Sequence, residues 1–144
     1  MPDWSDRTAV MNLLSAVPVF SSLDKKHLKT LANAAAERNY NAGDVIVSEG
    51  TKGLGFYLLA EGQVAVEKAG KVVATLNSGQ FFGEMALLDE QPRTANVKAA
   101  SKAKCFVLSP WEFWGSVGKD PEAMRILLRE TVRRLRHSPP APED

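Results

Sequence analysis

The hydrophobic pattern along the chain changes period twice and so divides the sequence into three zones. In the first zone, residues 1–36, apolar side chains recur at the three- and four-residue spacing of helices, and Pro18 interrupts them. The pattern predicts a first helix with the apolar residues Ala9, Val10, Leu13 and Leu14. It predicts a second helix, capped by Ser21 or Ser22, with the apolar face Leu28, Leu31, Ala32 and Ala35.

The second zone, residues 37–109, alternates apolar and other side chains with the period of two that β-strands have. Strands are predicted at residues 45–48, 56–60, 64–67, 72–76, 95–99 and 105–108. Glycines separate them, and Gly62 and Gly70 stand where tight hairpin turns require a positive φ. Short strands at regular spacing favour an antiparallel roll or barrel.

The third zone, residues 110–138, returns to helical spacing. Ser109 and Glu112 form a capping box around Pro110, and Asp120 precedes a second helix. The last helix has an apolar side made of Ala123, Ile126, Leu127, Leu128, Val132 and Leu135. Its arginines predict a solvated face, namely Arg125, Arg129, Arg133, Arg134 and Arg136. We therefore predict an α+β, mainly β fold: a jelly-roll-like antiparallel β-roll flanked by N-terminal helices and two C-terminal helices, forming one domain over residues 1–138 with a flexible tail at 139–144.

Composition excludes several classes of function. A 144-residue chain with 44% hydrophobic and 24% charged residues has the size and content of one soluble domain, and its net charge of +1 gives no bulk attraction to DNA or acidic membranes. One cysteine, Cys105, and two histidines, His27 and His137, do not suffice for a disulfide framework or for the usual cysteine or histidine metal sites. With no long apolar run and no secretory signal, a cytoplasmic protein without a membrane segment is expected.

One segment inside the β zone breaks the alternation, from Phe81 to Ala95. Residues 84–88 favour a helix of one to two turns that begins after Gly83, and a helix N-terminus with free backbone N–H groups attracts anions. Arg93, ten positions after Gly83, can meet the same anion with its guanidinium, and the Thr94 hydroxyl adds a donor.

Glu84 has the opposite character, because a carboxylate accepts hydrogen bonds and suits a sugar hydroxyl rather than a phosphate. Val73, Met85 and Leu87 supply an apolar roof. Phosphate donors, a ribose acceptor and an apolar roof together predict a nucleotide pocket. The rings of Phe56, Phe81 and Phe82 are predicted to lie in the core, and Cys105 is predicted to be a buried small hydrophobe.

The same segment resembles the phosphate-binding cassette of the cyclic nucleotide-binding domain family, which serves catabolite-activator-type regulators, cyclic-nucleotide-dependent kinases and gated channels. The motifs that carry the resemblance are Phe82-Gly83-Glu84-Met85-Ala86-Leu87-Leu88 and Pro92-Arg93-Thr94-Ala95. Supporting motifs are Val17-Pro18-Val19-Phe20, Ala42-Gly43-Asp44-Val45-Ile46, Glu49-Gly50 and the central hairpin Leu58-Leu59-Ala60-Glu61-Gly62-Gln63-Val64. The resemblance covers nearly the whole chain.

The resemblance implies a cAMP- or cGMP-sensing domain with no other cofactor. Arg93 would pair with the cyclic phosphate, Glu84 would accept from the ribose 2′-hydroxyl, and Thr94 matches family members that also accept cGMP. The implied ligand-binding set is Phe82, Gly83, Glu84, Met85, Ala86, Arg93, Thr94, Ala95 and Val73. The implied switch moves the last helix through a hinge at residues 109–118, with Leu127, Leu128, Val132 and Leu135 as candidate lid contacts.

Three alternatives remain open at this point. The first is a nucleotide-independent β-roll that regulates a protein partner, and the second is an enzyme on a jelly-roll scaffold, which the histidine count disfavours. The third is a piece of a longer channel, kinase or exchange factor. No enzyme activity is expected. Direct DNA binding is not expected either, because no winged helix-turn-helix follows the last helix. The aromatic residues Trp111, Phe113 and Trp114 are expected to form a hydrophobic hinge packed against the roll.

Overall fold

The computed structural model describes residues 3–50, 55–83 and 95–136. Its α-helices are α1 (Arg7–Ser15), α2 (Lys25–Ala34), α3 (Pro110–Ser116) and α4 (Pro121–Arg136), with short 3₁₀ helices at Pro18–Phe20 and Val117–Lys119. Its strands are β1 (Ala36–Tyr40), β2 (Val45–Val47), β3 (Phe56–Glu61), β4 (Val64–Lys68), β5 (Lys71–Leu76), β6 (Phe81–Phe82), β7 (Asn96–Ala99) and β8 (Ala103–Leu108).

The strands form two four-stranded sheets whose pairings are all antiparallel. The first sheet has the order β1-β8-β3-β6, and the second has the order β2-β7-β4-β5. With helices before and after this β-roll, the predicted α+β, mainly β fold is confirmed.

The central strands of the first sheet, β3 and β8, are buried on both faces. One face of β3 contributes Phe56 and Leu58 to a core shared with the helices, while Leu59 on the other face enters a second core between the sheets. Strand β8 divides in the same way, with Phe106 toward the helices and Cys105 toward the second sheet. This double burial explains why these strands are nearly continuous hydrophobic runs.

Gly62 lies where the chain crosses from the first sheet to the second. Its φ is +88°, and an added Cβ would lie 2.2 Å from the carbonyl oxygen of Lys102, so only glycine fits. The positive φ was predicted, but the predicted hairpin is wrong, because β3 and β4 belong to different sheets and do not pair. Two strands joined across a corner between sheets show the same alternating pattern as the two strands of a hairpin. The sequence alone therefore does not distinguish a corner from a hairpin.

The N-cap of the second helix differs from the predicted one. Helix α2 begins at Lys25, and its N-cap is Asp24, whose side chain accepts a hydrogen bond from the backbone N–H of His27 at 2.8 Å. Ser21 and Ser22 do not cap it, because Ser21 follows directly on the 3₁₀ helix and donates its hydroxyl to the Pro18 carbonyl. Val10, Leu14, Leu31 and Ala32 are buried as the helical spacing predicts.

Two strands have no counterpart in the sequence predictions. Strand β1 is an edge strand with three exposed residues at its centre, Glu37, Arg38 and Asn39, and therefore lacks a hydrophobic pattern. Strand β6 has only two residues, Phe81 and Phe82, which is too short for a period to show.

The C-terminal helices start as predicted but differ in what they bury. The capping box of Ser109 and Glu112 is complete, and Asp120 accepts from the N–H of Ala123. Phe113 is buried in the helical core and Trp114 packs against it, which confirms the packing predicted for these two residues. The prediction is wrong for Trp111, whose side chain is 87% exposed because it points away from the roll.

Helix α4 also divides its predicted apolar side. Ala123 and Leu127 are fully buried, whereas Leu128, Val132 and Leu135 are about half exposed. Leu127 is therefore a core residue rather than a lid contact. The arginine face is solvated at Arg125 and Arg133, which pair with Glu122 and Glu130. The prediction fails at Arg134, whose guanidinium carbon lies 4.1 Å from the centre of the Phe81 ring.

The turn between β4 and β5 places an alanine in a left-handed conformation. Ala69 (φ 52°) and Gly70 (φ 77°) connect the paired residues Lys68 and Lys71, which is the pattern of a two-residue hairpin turn with positive φ at both positions. Alanine in this region costs roughly 1–2 kcal/mol, while asparagine tolerates it.

We expect Ala69→Asn to raise the free energy of unfolding by about 1 kcal/mol, because asparagine relieves the left-handed strain of the turn. Urea denaturation followed by circular dichroism measures the change. Ala69→Val is the opposing control, since a β-branched residue is least suited to positive φ and should lower stability. Equal stability of the two variants would contradict this description of the turn.

Candidate functional site

The predicted site is centred on residues 84–94, which lie outside the described residues. Glu84, Met85, Ala86, Leu87, Arg93 and Thr94 belong to this segment, and so does the predicted short helix. The structure describes the residues that flank it, namely Phe82, Gly83 and Ala95, and also Val73 on β5. The candidate site is therefore built here from its two fixed ends.

The segment starts from a buried edge strand. In β6, Phe82 pairs with Tyr57 and Phe81 pairs with Leu58 of β3. The Phe82 ring is buried and stacks on the Tyr57 ring, with centroids 4.9 Å apart and planes at 10°. Since this ring lies in the second core, the prediction of Phe82 as a core residue is confirmed.

Gly83 follows at once with a φ of +95°. This is the conformation that residues with a Cβ rarely adopt, so glycine is required for the chain to leave β6 in this direction. The sequence reasoning assigned Gly83 to close approach of a ligand. The structure adds a backbone reason for the same residue.

The segment ends on the second sheet. Ala95 is buried and leads into β7, the strand that lies between β2 and β4. Val97, two positions later, belongs to the same buried cluster as Phe82. The two ends of the 84–94 segment are thus fixed to different sheets but to one shared core.

Asn96 is a residue at this site that the sequence reasoning missed. Its side-chain oxygen accepts a hydrogen bond of 2.6 Å from the backbone N–H of Glu49. The contact joins the end of the β2 strand region to the start of β7, beside the point where the segment ends. An asparagine next to a predicted strand end was the available signal, but its partner is 47 positions away in the sequence.

Val73 is the one described site residue that does not flank the segment of residues 84–94. It is partly buried on β5, and β4 separates β5 from β7. The register of β4 against β5 shifts here, from Val66 opposite Ala74 to Glu67 opposite Val72, so Val73 occupies a β-bulge. A bulge changes the direction of a side chain relative to its neighbours on the strand.

Burial raises the pKa of two ionisable groups at the core between the sheets. Cys105 is fully buried, and burial raises the pKa of its thiol to about 12, so the thiol stays protonated and is not a nucleophile. Burial likewise raises the pKa of Tyr40, which packs against the same cluster, to about 12. Within residues 3–50, 55–83 and 95–136, no group of three or more histidine, cysteine or acidic side chains is arranged to hold a metal ion.

A separate cavity of about 640 Å³ lies between α1 and the corner that joins β3 to β4. Trp4, Leu13, Glu61 and Gly62 are among its lining residues, and the Trp4 indole N–H donates to the Glu61 carboxylate at 2.7 Å. None of the predicted site residues lines it in the described part of the chain. In the same part, none of the helices has the length and hydropathy needed to cross a membrane.

The described residues form a β-roll of two four-stranded antiparallel sheets with helices before and after it. The sequence model of the cyclic nucleotide-binding domain matches residues 37–117. Since this match covers more than half of the chain, the protein belongs to the cyclic nucleotide-binding domain family.

Curated relatives include kinases and kinase subunits of both nucleotide types. The chain is 37% identical to the cAMP-dependent protein kinase regulatory subunit of Schizosaccharomyces pombe over 147 residues, covering 96% of this chain and 36% of the relative. It is 33% identical to the cGMP-dependent protein kinase egl-4 of Caenorhabditis briggsae over 142 residues, covering 92% of this chain and 19% of the relative. The chain thus spans about a third or less of these relatives.

Solved structures support the fold. A cAMP-bound regulatory protein, PfPKA-R, superposes with a TM-score of 0.83 at 28% identity, covering 92% of this chain and 46% of that one. The regulatory subunit of a cAMP-independent protein kinase A from Trypanosoma brucei superposes with a TM-score of 0.79 at 26% identity, covering 88% of this chain and 46% of that one.

We expect Gly83→Ala to lower the free energy of unfolding by about 1–2 kcal/mol, because alanine is strained at a φ of +95°. Thermal or urea unfolding measures the loss. Gly115→Ala is the matched control. Gly115 lies inside α3 with nothing within 4 Å of an added Cβ, so alanine there should stabilise the protein by roughly 0.5–1 kcal/mol. Stabilisation by both substitutions would contradict the assigned backbone at Gly83.

Proposed function

We propose that this domain binds a cyclic nucleotide in the segment of residues 84–94 and its flanks, and that binding shifts the position of α4. The proposed ligand is cAMP or cGMP, with no further cofactor. Gly83, Ala86 and Ala95 offer backbone groups to the sugar phosphate, Arg93 pairs with the cyclic phosphate, and Glu84 accepts from the ribose 2′-hydroxyl. Phe82, Met85, Thr94 and Val73 complete the proposed set.

The observation that carries the proposal is the anchoring of this segment at both ends. Phe82 and Val97 sit in one buried cluster, so the segment begins and ends on a common rigid support. We propose that this support limits how far apart the carboxylate of Glu84 and the guanidinium of Arg93 can lie. Preorganisation of this kind lowers the entropy that ligand binding would otherwise cost.

The choice between the two ligands rests on Thr94. Its hydroxyl matches family members that accept cGMP, and the relatives include both a cAMP-dependent and a cGMP-dependent kinase protein. We therefore propose that the domain accepts both nucleotides. Isothermal titration with each compares them directly.

The proposed role is regulatory and not enzymatic. The relatives include a regulatory subunit of a kinase, and the buried, protonated thiol of Cys105 is no nucleophile. We propose that residues 1–138 form one cytoplasmic domain, that its target is a protein effector such as a kinase catalytic subunit, and that it does not bind DNA directly. Leu128, Val132 and Leu135, half exposed on α4, are the proposed lid contacts.

A second candidate function is a β-roll that controls a protein partner without a nucleotide. The observation in its favour is the likeness to a regulatory subunit described as cAMP-independent, which has the same fold at a TM-score of 0.79. A thermal-shift assay with cAMP, with cGMP and with neither separates the two functions. A rise in melting temperature with either nucleotide supports ligand sensing, and the absence of a rise with each of them supports the alternative.

We expect Arg93→Ala to weaken binding of cAMP at least about tenfold, equivalent to roughly 1.4 kcal/mol, because a charge-assisted hydrogen bond to the phosphate is lost. Isothermal titration calorimetry measures the dissociation constant. The matched control is Arg38→Ala on β1, an exposed arginine in the first sheet that should leave binding unchanged. Wild-type affinity in Arg93→Ala, with a measurable wild-type signal, would refute the phosphate assignment.

The role of Glu84 is tested by removing its proposed partner atom from the ligand. We expect Glu84→Ala to weaken cAMP binding by about ten- to a hundredfold, the range for a hydrogen bond to a charged group. Binding of 2′-deoxy-cAMP, which lacks the hydroxyl, should be equally weak in the wild type and in the variant. If Glu84→Ala weakens binding of both ligands by the same factor, the carboxylate does not contact the 2′-hydroxyl.

A further inference from the structure

Helix α4 is packed unevenly along its length. Its buried residues are Ala123 and Leu127, both in the N-terminal half, and they join the core formed with the other helices. After Leu127, Leu128, Val132 and Leu135 are half exposed, and Arg133 pairs with Glu130 of the same helix. Apolar burial therefore fixes the first half of α4 much more firmly than the second half.

Arg134 is placed to hold the second half. It follows Leu127 by seven positions and Ala123 by eleven, so the three residues share one face of the helix. At the position where the pattern calls for an apolar residue, the helix presents a guanidinium. Its carbon lies 4.1 Å from the centre of the Phe81 ring, which is the geometry of a cation–π contact.

Phe81 is not an ordinary partner, because it stands directly before Phe82-Gly83 and so belongs to the strand that leads into the candidate site. Its ring stacks on Phe56 with centroids 5.0 Å apart, and Phe56 stacks at the same distance on Phe113 of α3. A shift of β6 would therefore move an aromatic stack and, with it, the surface on which Arg134 rests.

We propose that Arg134 is the positioning residue that couples the strand before the candidate site to the C-terminal half of α4. Its cation–π contact with the Phe81 ring holds residues 128–136 against the roll. Movement of β6 on ligand binding alters this contact. The exposure of the half-exposed residues Leu128, Val132 and Leu135 changes as a result. The response to ligand rests on the proposed function, whereas the contact in the protein without nucleotide does not.

The test is amide hydrogen exchange, read by mass spectrometry, on the full chain without nucleotide. Arg134→Gln should speed exchange of residues 128–136 by about three- to thirtyfold, the range expected for loss of one cation–π contact, while β3 and β8 are unaffected. Arg133→Gln is the matched control. It removes the same charge one position away and leaves the contact between Arg134 and the Phe81 ring in place. Equal effects of the two variants would overturn the proposal.

A double-mutant cycle identifies the partner. Phe81→Leu keeps an apolar side chain but removes the ring, so it should speed exchange of residues 128–136 as Arg134→Gln does. The double variant should be no faster in this region than the faster single variant, because both substitutions break the same contact. Additive effects would show that Arg134 acts through another group and would overturn the assigned partner.

The coupling itself is read by adding cAMP to the wild type and to Arg134→Gln at saturating concentration, established by titration. We expect the nucleotide to change exchange at residues 128–136 in the wild type and to change it at least threefold less in the variant. An equal change in both would overturn the coupling. If no titration signal appears in the wild type, the proposed function fails, while the comparison without nucleotide still decides whether Arg134 holds the C-terminal half of α4 against the roll.

Discussion

The burial of β3 and β8, the central strands of the first sheet, on both faces is the constraint on which the rest of the structure depends. Helices cover one face through Phe56, Leu58 and Phe106, and the second sheet covers the other through Leu59 and Cys105. Neither of these two strands can shift its register by one residue without exchanging its buried side chains between two different cores. Both strands are therefore fixed, and short edge elements attached to them inherit that rigidity.

Strand β6 shows how this constraint reaches the candidate site. Because neighbouring side chains on a strand point to opposite faces, Phe81 enters the core with the helices and Phe82 enters the core between the sheets. The chain then leaves through Gly83 into the segment of residues 84–94. Two residues thus connect the start of that segment with both cores at once. A displacement there is felt by the helices as well as by the second sheet.

The same physics explains what the sequence could predict. Strands β3 and β8 of the first sheet and the inward side of the second sheet carry strong apolar patterns, and the Ser109 capping box is a local signal, so these elements were predictable. Strand β1 was not, because an edge strand with Glu37, Arg38 and Asn39 exposed has no pattern to detect. The exposure of Trp111 and the contact of Arg134 with Phe81 depend on how helices pack on the roll, and periodicity along one helix does not contain that information. At the site, Gly83 was identified from its motif, whereas the Asn96 contact with Glu49 spans the sequence and left no local trace.

Anchoring both ends of the 84–94 segment to one core has an energetic consequence. The free energy needed to bring the ends of a loop together grows slowly with its length, and here folding of the two sheets has already met that cost before any ligand arrives. Because the flanking residues Gly83 and Ala95 are already held by the two sheets, less conformational entropy is lost when the proposed ligand binds. The proposed function divides the work in the same way, since the scaffold supplies stability and the segment is proposed to respond to the ligand. The firm packing of Ala123 and Leu127 beside the loosely held second half of α4 repeats the same division at the other end of the domain.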